Sequence, residues 1–143
     1  MKQNEQVLIC GGGPVGVVTA LSLVQQGIPV TVLEMFEEPP REPRAATIHP
    51  STLEMLDTLG LAEGILQRGL HAPAFQFRDR RSQEIVAVFD MAHIADETKF
   101  PLAVQYEQWK LVRDGLIALK EYDIADVRLG TSEIGRASCR ERV

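Results

Sequence analysis

Residues 7–34 read VLICGGGPVGVVTALSLVQQGIPVTVLE. Four apolar residues lead into Gly11-Gly12-Gly13-Pro14-Val15-Gly16, a helix-forming stretch follows, and a second apolar run ends in Glu34. Strand, glycine turn, helix, strand and acid, in that order, spell a dinucleotide-binding βαβ unit. Each position has a physical reason. Gly11 turns the chain sharply out of the first strand. Gly13 has no Cβ, so a diphosphate can approach the backbone, and Gly16 brings the helix close to the sheet. Pro14 suits the first helical turn, where its missing N–H costs nothing. The N–H groups that open the helix, from Val15 onward, present a partial positive charge to phosphate oxygens. Ala20, Leu21, Leu23 and Val24 supply the buried helix face, and Gly27 ends it. Val30 and Val32 alternate with Thr31 and Leu33 in the second strand. Glu34 then stands at its carboxyl end, where a carboxylate accepts hydrogen bonds from ribose hydroxyls.

The chain has 143 residues, enough for one domain with a core. It is 45% apolar and 24% charged, as in an ordinary globular protein, and its net charge of −5 argues against a nucleic-acid-binding face. Met1–Gln6 is polar and passes straight into a strand, with no leader-like apolar region and no apolar run long enough to span a membrane. The expected location is therefore cytoplasmic. Cys10 and Cys139 form no disulfide or metal pattern, and Cys10 is expected to be a small buried residue. His49, His71 and His93 lack ligand or triad spacing, so no metal site and no catalytic histidine is expected. Asp57, Asp90 and Asp96 show no pairing that would mark acid–base chemistry.

Downstream of Glu34, Met35–Arg44 carries three prolines, which exclude a regular element. Ser51–Gly60 predicts a helix with Leu53, Leu56 and Leu59 inward, Ser51 and Glu54 at capping-box spacing, and Gly60 as the stop. A short helix is expected over Ala62–Arg68. The period then falls to two. Phe75 and Phe77 alternate with Gln76 and Arg78, Asp79–Ser82 makes a turn, and Ile85–Phe89 returns as the second strand of an antiparallel hairpin. Arg78, Arg80 and Arg81 are read as its solvated tip. Asp90–Pro101 reads as loop, Glu107–Lys120 as a helix with Trp109, Val112, Leu116 and Leu119 on one side, and Ala125–Gly130 as a further strand. A plain nicotinamide-binding unit would continue βαβ without the antiparallel insertion. The fold class is thus α/β, a Rossmann-like nucleotide-binding domain interrupted by a hairpin.

That layout resembles the FAD-dependent aromatic hydroxylases, the para-hydroxybenzoate hydroxylase-like flavoprotein monooxygenases. The resemblance covers roughly residues 5 to 132. Val7–Glu34 is similar to the family's ADP-binding motif. EPRAATIHPSTLEMLDTLGL, Glu42–Leu61, resembles the segment in which an arginine contacts the flavin, and Arg44 is the match. PLAVQYEQWKLVRDGL, Pro101–Leu116, resembles the segment with a glutamine near the ribityl chain, and Gln105 is the match. The chain departs from many members at Gln108-Trp109, where they carry Leu-Glu. Within the family the segment looks closest to hydroxylases of phenolic acids.

The resemblance implies an FAD-binding domain over residues 1–132. Gly11, Gly13, Pro14, Val15, Gly16 and Glu34 would be on the ADP side, with Arg44 and Gln105 toward the flavin. It implies NAD(P)H as co-substrate, and O2 and a small aromatic acid as the other reactants. It names no catalytic acid or base among these residues. Another FAD-dependent oxidoreductase, such as a reductase or halogenase, and a non-catalytic nucleotide-binding module are the alternatives. Glu133–Val143, EIGRASCRERV, shows no apolar period and resembles a translated sequencing adapter. Residues 133–143 are accordingly expected to be non-native. The chain is expected to be an inactive N-terminal piece, without the later Asp-Gly and Gly-Asp motifs of the family.

Overall fold

The computed structural model describes residues 6–42 and 44–133. The expected adapter tail lies outside them, apart from Glu133. The chain divides into two units, residues 1–40 with 116–143, and residues 41–115.

The first unit is built on a parallel three-stranded sheet of β1 (Val7–Cys10), β2 (Val30–Leu33) and β8 (Ala125–Arg128), with β2 in the centre. β1 pairs Val7 with Val30 through Cys10 with Leu33, and β2 pairs Val30 with Ala125 through Leu33 with Arg128. Helix α1 (Pro14–Gln25) buries Val17, Ala20, Leu21 and Val24. That i, i+3, i+4, i+7 spacing places all four on one helical face. Leu23 lies at the margin of the stripe and is half-buried, where the sequence put it in the core. The helix closes at Gly27, with the Ile28 N–H donating to the Leu23 carbonyl at 3.0 Å. The expected alternation in β2 is absent. Val30, Thr31 and Val32 are all buried, as befits the central strand of a parallel sheet. The Thr31 hydroxyl is satisfied there by the Gln6 amide.

The second unit holds a three-stranded antiparallel sheet of β3 (Thr47–Ile48), β7 (Ala103–Gln105) and β4 (Leu70–Ala72), with β7 in the middle. Helices α2 (Pro50–Thr58) and α3 (Ala62–Arg68) belong to the same unit and pack against each other. Leu53, Leu56, Ile65, Ala103 and Val104 are fully buried. The leucine stripe is where the sequence placed it. The capping box is not. His49 is the N-cap and Pro50 the first helical residue, so Ser51 lies inside the helix. The fixed φ of proline pre-sets the first turn and moves the helix start ahead of the serine. Glu54 instead accepts from the Thr98 hydroxyl at 2.6 Å.

The hairpin forms as expected from β5 (Ala74–Arg78) and β6 (Ile85–Asp90). The Asp79 carboxylate accepts the N–H groups of Ser82 and Arg81 at 2.7 and 2.8 Å and closes the turn. Those two bonds hold its carboxyl below the usual value. Phe77 and Phe89 meet edge to face at 5.6 Å. A 3-10 turn, Met91–Ile94, opens the segment read as loop. Helix α4 spans Gln108–Leu119.

One polar knot ties α3, the end of β7 and α4 together. Asp114 accepts from both terminal guanidinium nitrogens of Arg68, at 3.2 and 2.8 Å, and from the Tyr106 hydroxyl at 2.6 Å. Burial works against its charge, but the hydrogen bonds from Tyr106, Arg68 and Arg113 prevail and hold the carboxyl below its ordinary value. Burial first, then the bond to Asp114, pushes the Tyr106 hydroxyl up to about 12. Asp114→Asn is expected to cost about 2 kcal/mol in urea unfolding at pH 7, the scale of charge-assisted bonds lost at a shielded site. A lowered carboxyl stabilises the fold above its unfolded value and loses that effect as pH falls. The gap between the two proteins should therefore close as the pH drops below 3.8, the ordinary carboxylate value. A gap that stays constant into acid would remove Asp114's charge from the explanation.

Candidate nucleotide site

The glycine turn and Glu34 meet at the carboxyl end of the first unit's sheet. Gly11 continues the β1–β2 pairing, its N–H donating to the Leu33 carbonyl at 2.7 Å. It then takes φ +109°, a left-handed conformation that bends the chain out of the strand. Gly13 is the N-cap of α1, in extended conformation at φ −71° and ψ −176°, with no side-chain cap. The first N–H of α1 with an internal acceptor is that of Val17, bonded to the Gly13 carbonyl at 2.9 Å. The N–H groups of Val15 and Gly16 thus belong to the free first turn of the helix. The Val15 side chain points away from the core and is 80% exposed.

Gly16 is the closest approach in the turn. A Cβ there would lie 1.9 Å from the Gly11 carbonyl oxygen. At Gly13 a Cβ would meet nothing within 4 Å. The two glycines therefore serve different ends, one packing the helix against the turn and the other leaving open space over the backbone.

Glu34 is held from both sides. Its N–H donates to the Arg128 carbonyl at 3.0 Å, and its carbonyl accepts from Thr131 at 2.8 Å. Its carboxylate accepts the Gly12 N–H at 2.6 Å on one oxygen and the Phe36 N–H at 3.0 Å on the other. Each oxygen keeps a further lone-pair site for a hydroxyl donor. Cys10, Gly11, Glu34, Phe36 and Thr131 are among the residues that line an open cleft of ≈ 410 Å³ at this point. Cys10 is exposed to it, not buried as the sequence predicted. The reason is that β1 is an edge strand of the sheet, exposed at Val7 and Leu8 as well as at Cys10.

Free helix N–H groups, an uncrowded glycine and an anchored carboxylate fit the diphosphate and ribose of a dinucleotide. The six ADP-side residues expected from sequence are thus brought together in the first unit. Gly12 has a role that the glycine fingerprint does not assign to it. Its buried N–H steadies the Glu34 carboxylate, and a Cβ on it would come within 2.9 Å of the Glu34 Cβ. The run of three glycines was the available signal.

Arg44 and Gln105 lie in the second unit. Arg44 makes an exposed ion pair with Glu42 at 3.2 Å. Its segment runs into β3, which pairs with the β7 strand that carries Gln105. The Tyr106 N–H donates to the Ala46 carbonyl at 2.7 Å. Two stretches far apart in sequence are thereby brought to neighbouring strands. Among the described residues there is no cluster of His, Cys, Asp and Glu that could hold a metal ion. No described helix is long and apolar enough to cross a membrane.

The family model of the FAD-binding domain matches residues 4–133. The chain is 33% identical to 6-hydroxy-3-succinoylpyridine 3-monooxygenase HspB of Pseudomonas putida, over 98% of its own length and 36% of that protein. It is 37% identical to para-nitrophenol 4-monooxygenase of a Pseudomonas species, over 71% of its own length and 25% of that protein. The crystal structure of p-nitrophenol 4-monooxygenase PnpA from Pseudomonas putida superposes with a TM-score of 0.81 at 31% identity, covering 88% of this chain and 32% of that one. The chain thus spans about a third or less of the length of these relatives.

Proposed function

The chain belongs to the FAD-binding domain family, and from that premise we propose that it is the FAD-binding part of an NAD(P)H-dependent monooxygenase that hydroxylates a phenolic or other aromatic acid with O2. The observation that carries the reading is the Glu34 carboxylate, anchored beside the glycine turn that opens α1. FAD, when bound, supplies the redox chemistry of the reaction. The chain's residues supply the seat. Gly11 and Gly13 shape a turn that leaves room for the diphosphate, Pro14 pre-sets the helix start, and Val15 and Gly16 offer N–H donors. Glu34 accepts hydrogen bonds from the adenosine ribose. Arg44 and Gln105 act on the flavin side, as the resemblance implies. The similarity to monooxygenases of a hydroxypyridine and a nitrophenol favours a small aromatic substrate. The cytoplasm is the compartment proposed.

Glu34→Ala tests the seat. Losing a charged acceptor for ribose hydroxyls is expected to weaken FAD and ADP equally, by about tenfold or about 1.5 kcal/mol, in titrations followed by NMR. Unchanged affinity for both would refute the assignment. Spanning 36% of the relative above, this chain alone is proposed to bind FAD weakly and to be inactive. Stoichiometric yellow flavin on purified residues 1–132 would contradict that. In a protein extended to the relatives' length, an aromatic acid should stimulate NAD(P)H oxidation and leave as its hydroxylated product. Oxidation without oxygen insertion would point to a reductase.

A further inference from the structure

We infer that Thr47 is a positioning residue that sets the carboxamide of Gln105 for its contact with the flavin. The inference rests on the proposed flavin contact of Gln105, and its geometry lies wholly within the second unit.

Thr47 and Gln105 are directly opposed in the antiparallel β3–β7 pair. Because the Tyr106 N–H bonds the Ala46 carbonyl, the 46/106 pair is the hydrogen-bonded one, and 47/105 is the adjacent non-bonded pair. Side chains approach most closely at such pairs. The Thr47 hydroxyl lies 3.1 Å from the Gln105 Oε1 and 2.9 Å from its Nε2. It donates to the first and accepts from the second, so one side chain engages both ends of the carboxamide. On the other flank Gln105 pairs with Leu70, whose side chain offers no hydrogen bond. Val104 and Ile48, one residue along, point to the opposite face and are buried. The backbone of Gln105 is therefore fixed by the core. Its carboxamide, half-exposed and free to rotate about three side-chain bonds, is fixed by Thr47. Holding a long polar side chain in one rotamer before the ligand arrives removes an ordering cost from binding. The branched threonine is itself stiff on a strand, so it is a good post for that purpose.

The test uses the full chain labelled with 15N, with FAD and ADP titrated separately and both read from chemical shifts, a method that follows weak binding. Thr47→Val keeps shape and strand preference and removes the hydroxyl. It is expected to weaken FAD about fivefold, to leave ADP unchanged, and to shift the Gln105 side-chain NH2 signals in the free protein. Thr47→Ser, which keeps the hydroxyl, should restore FAD affinity to within about twofold. In a Gln105→Ala background, Thr47→Val should have no further effect on FAD. An equal loss of FAD affinity in both backgrounds would show that Thr47 acts without Gln105. A loss of ADP affinity as large as that of FAD would mark a general structural effect. Either result overturns the inference and leaves the flavin contact of Gln105 standing. If Gln105→Ala itself leaves FAD affinity unchanged, the flavin contact fails, and the role of Thr47 with it.

Discussion

Gly16→Ala is expected to unfold the nucleotide end of the first unit and to abolish measurable FAD binding. The added Cβ would stand 1.9 Å from the Gly11 carbonyl oxygen, and the obstacle is backbone, not a side chain that could swing aside. Relief requires α1 to lift away from the turn. That motion would strip Val17, Ala20, Leu21 and Val24 of their packing, all of them at most 3% exposed. Overpacking of this kind costs about 1–3 kcal/mol where the surroundings yield, and here they yield only by moving a helix. We expect a loss of at least 3 kcal/mol in urea unfolding, with the FAD and ADP shifts lost in parallel. The same displacement would move the free N–H groups of the first helical turn. A Gly16→Ala protein of wild-type stability would mean that α1 is not seated on the turn as described.

The βαβ unit was legible because its signals are local and agree with one another. A glycine turn, a four-residue helical stripe and an acid at the end of the second strand all fall within residues 7–34. The hairpin was legible for the same reason, since a period of two on both sides of a charged turn needs no partner to be seen. β3, β4 and β7 were not. With two or three residues each, they are too short to show a period. They exist because distant segments pair, Thr47 with Gln105 and Leu70 with Gln105. The same limit applies to the site. Glu34 could be found by its spacing from the glycines. Gly12's bond to Glu34 and Thr47's hold on Gln105 depend on contacts 22 and 58 residues apart, and no local pattern encodes them. The Ser51–Glu54 pattern failed for a different reason. A true local signal was overridden by a stronger one next to it, Pro50.

Gly13→Ala should separate stability from binding, where Gly16→Ala destroys both. At Gly13 a new Cβ meets no atom within 4 Å, and the backbone angles of −71° and −176° suit any residue. Alanine at such a site gains from a less disordered unfolded chain. It loses a little because glycine is the better N-cap of the two. The melting temperature is therefore expected to stay within about 2 °C of wild type. The methyl group nonetheless enters the space in front of the helix's free N–H groups, where a diphosphate must come within hydrogen-bond distance of backbone. Pushing the phosphates outward weakens both their hydrogen bonds and their attraction to the helix terminus, which falls off within one turn. FAD and ADP affinity should drop together by about 30-fold, or about 2 kcal/mol. Riboflavin, which carries no phosphate, gives the internal control, and whatever weak affinity it has should not change. If Gly13→Ala keeps its grip on ADP, the diphosphate does not cross the chain at Gly13. The free first turn of α1 would then need another ligand to explain why it lacks a side-chain cap.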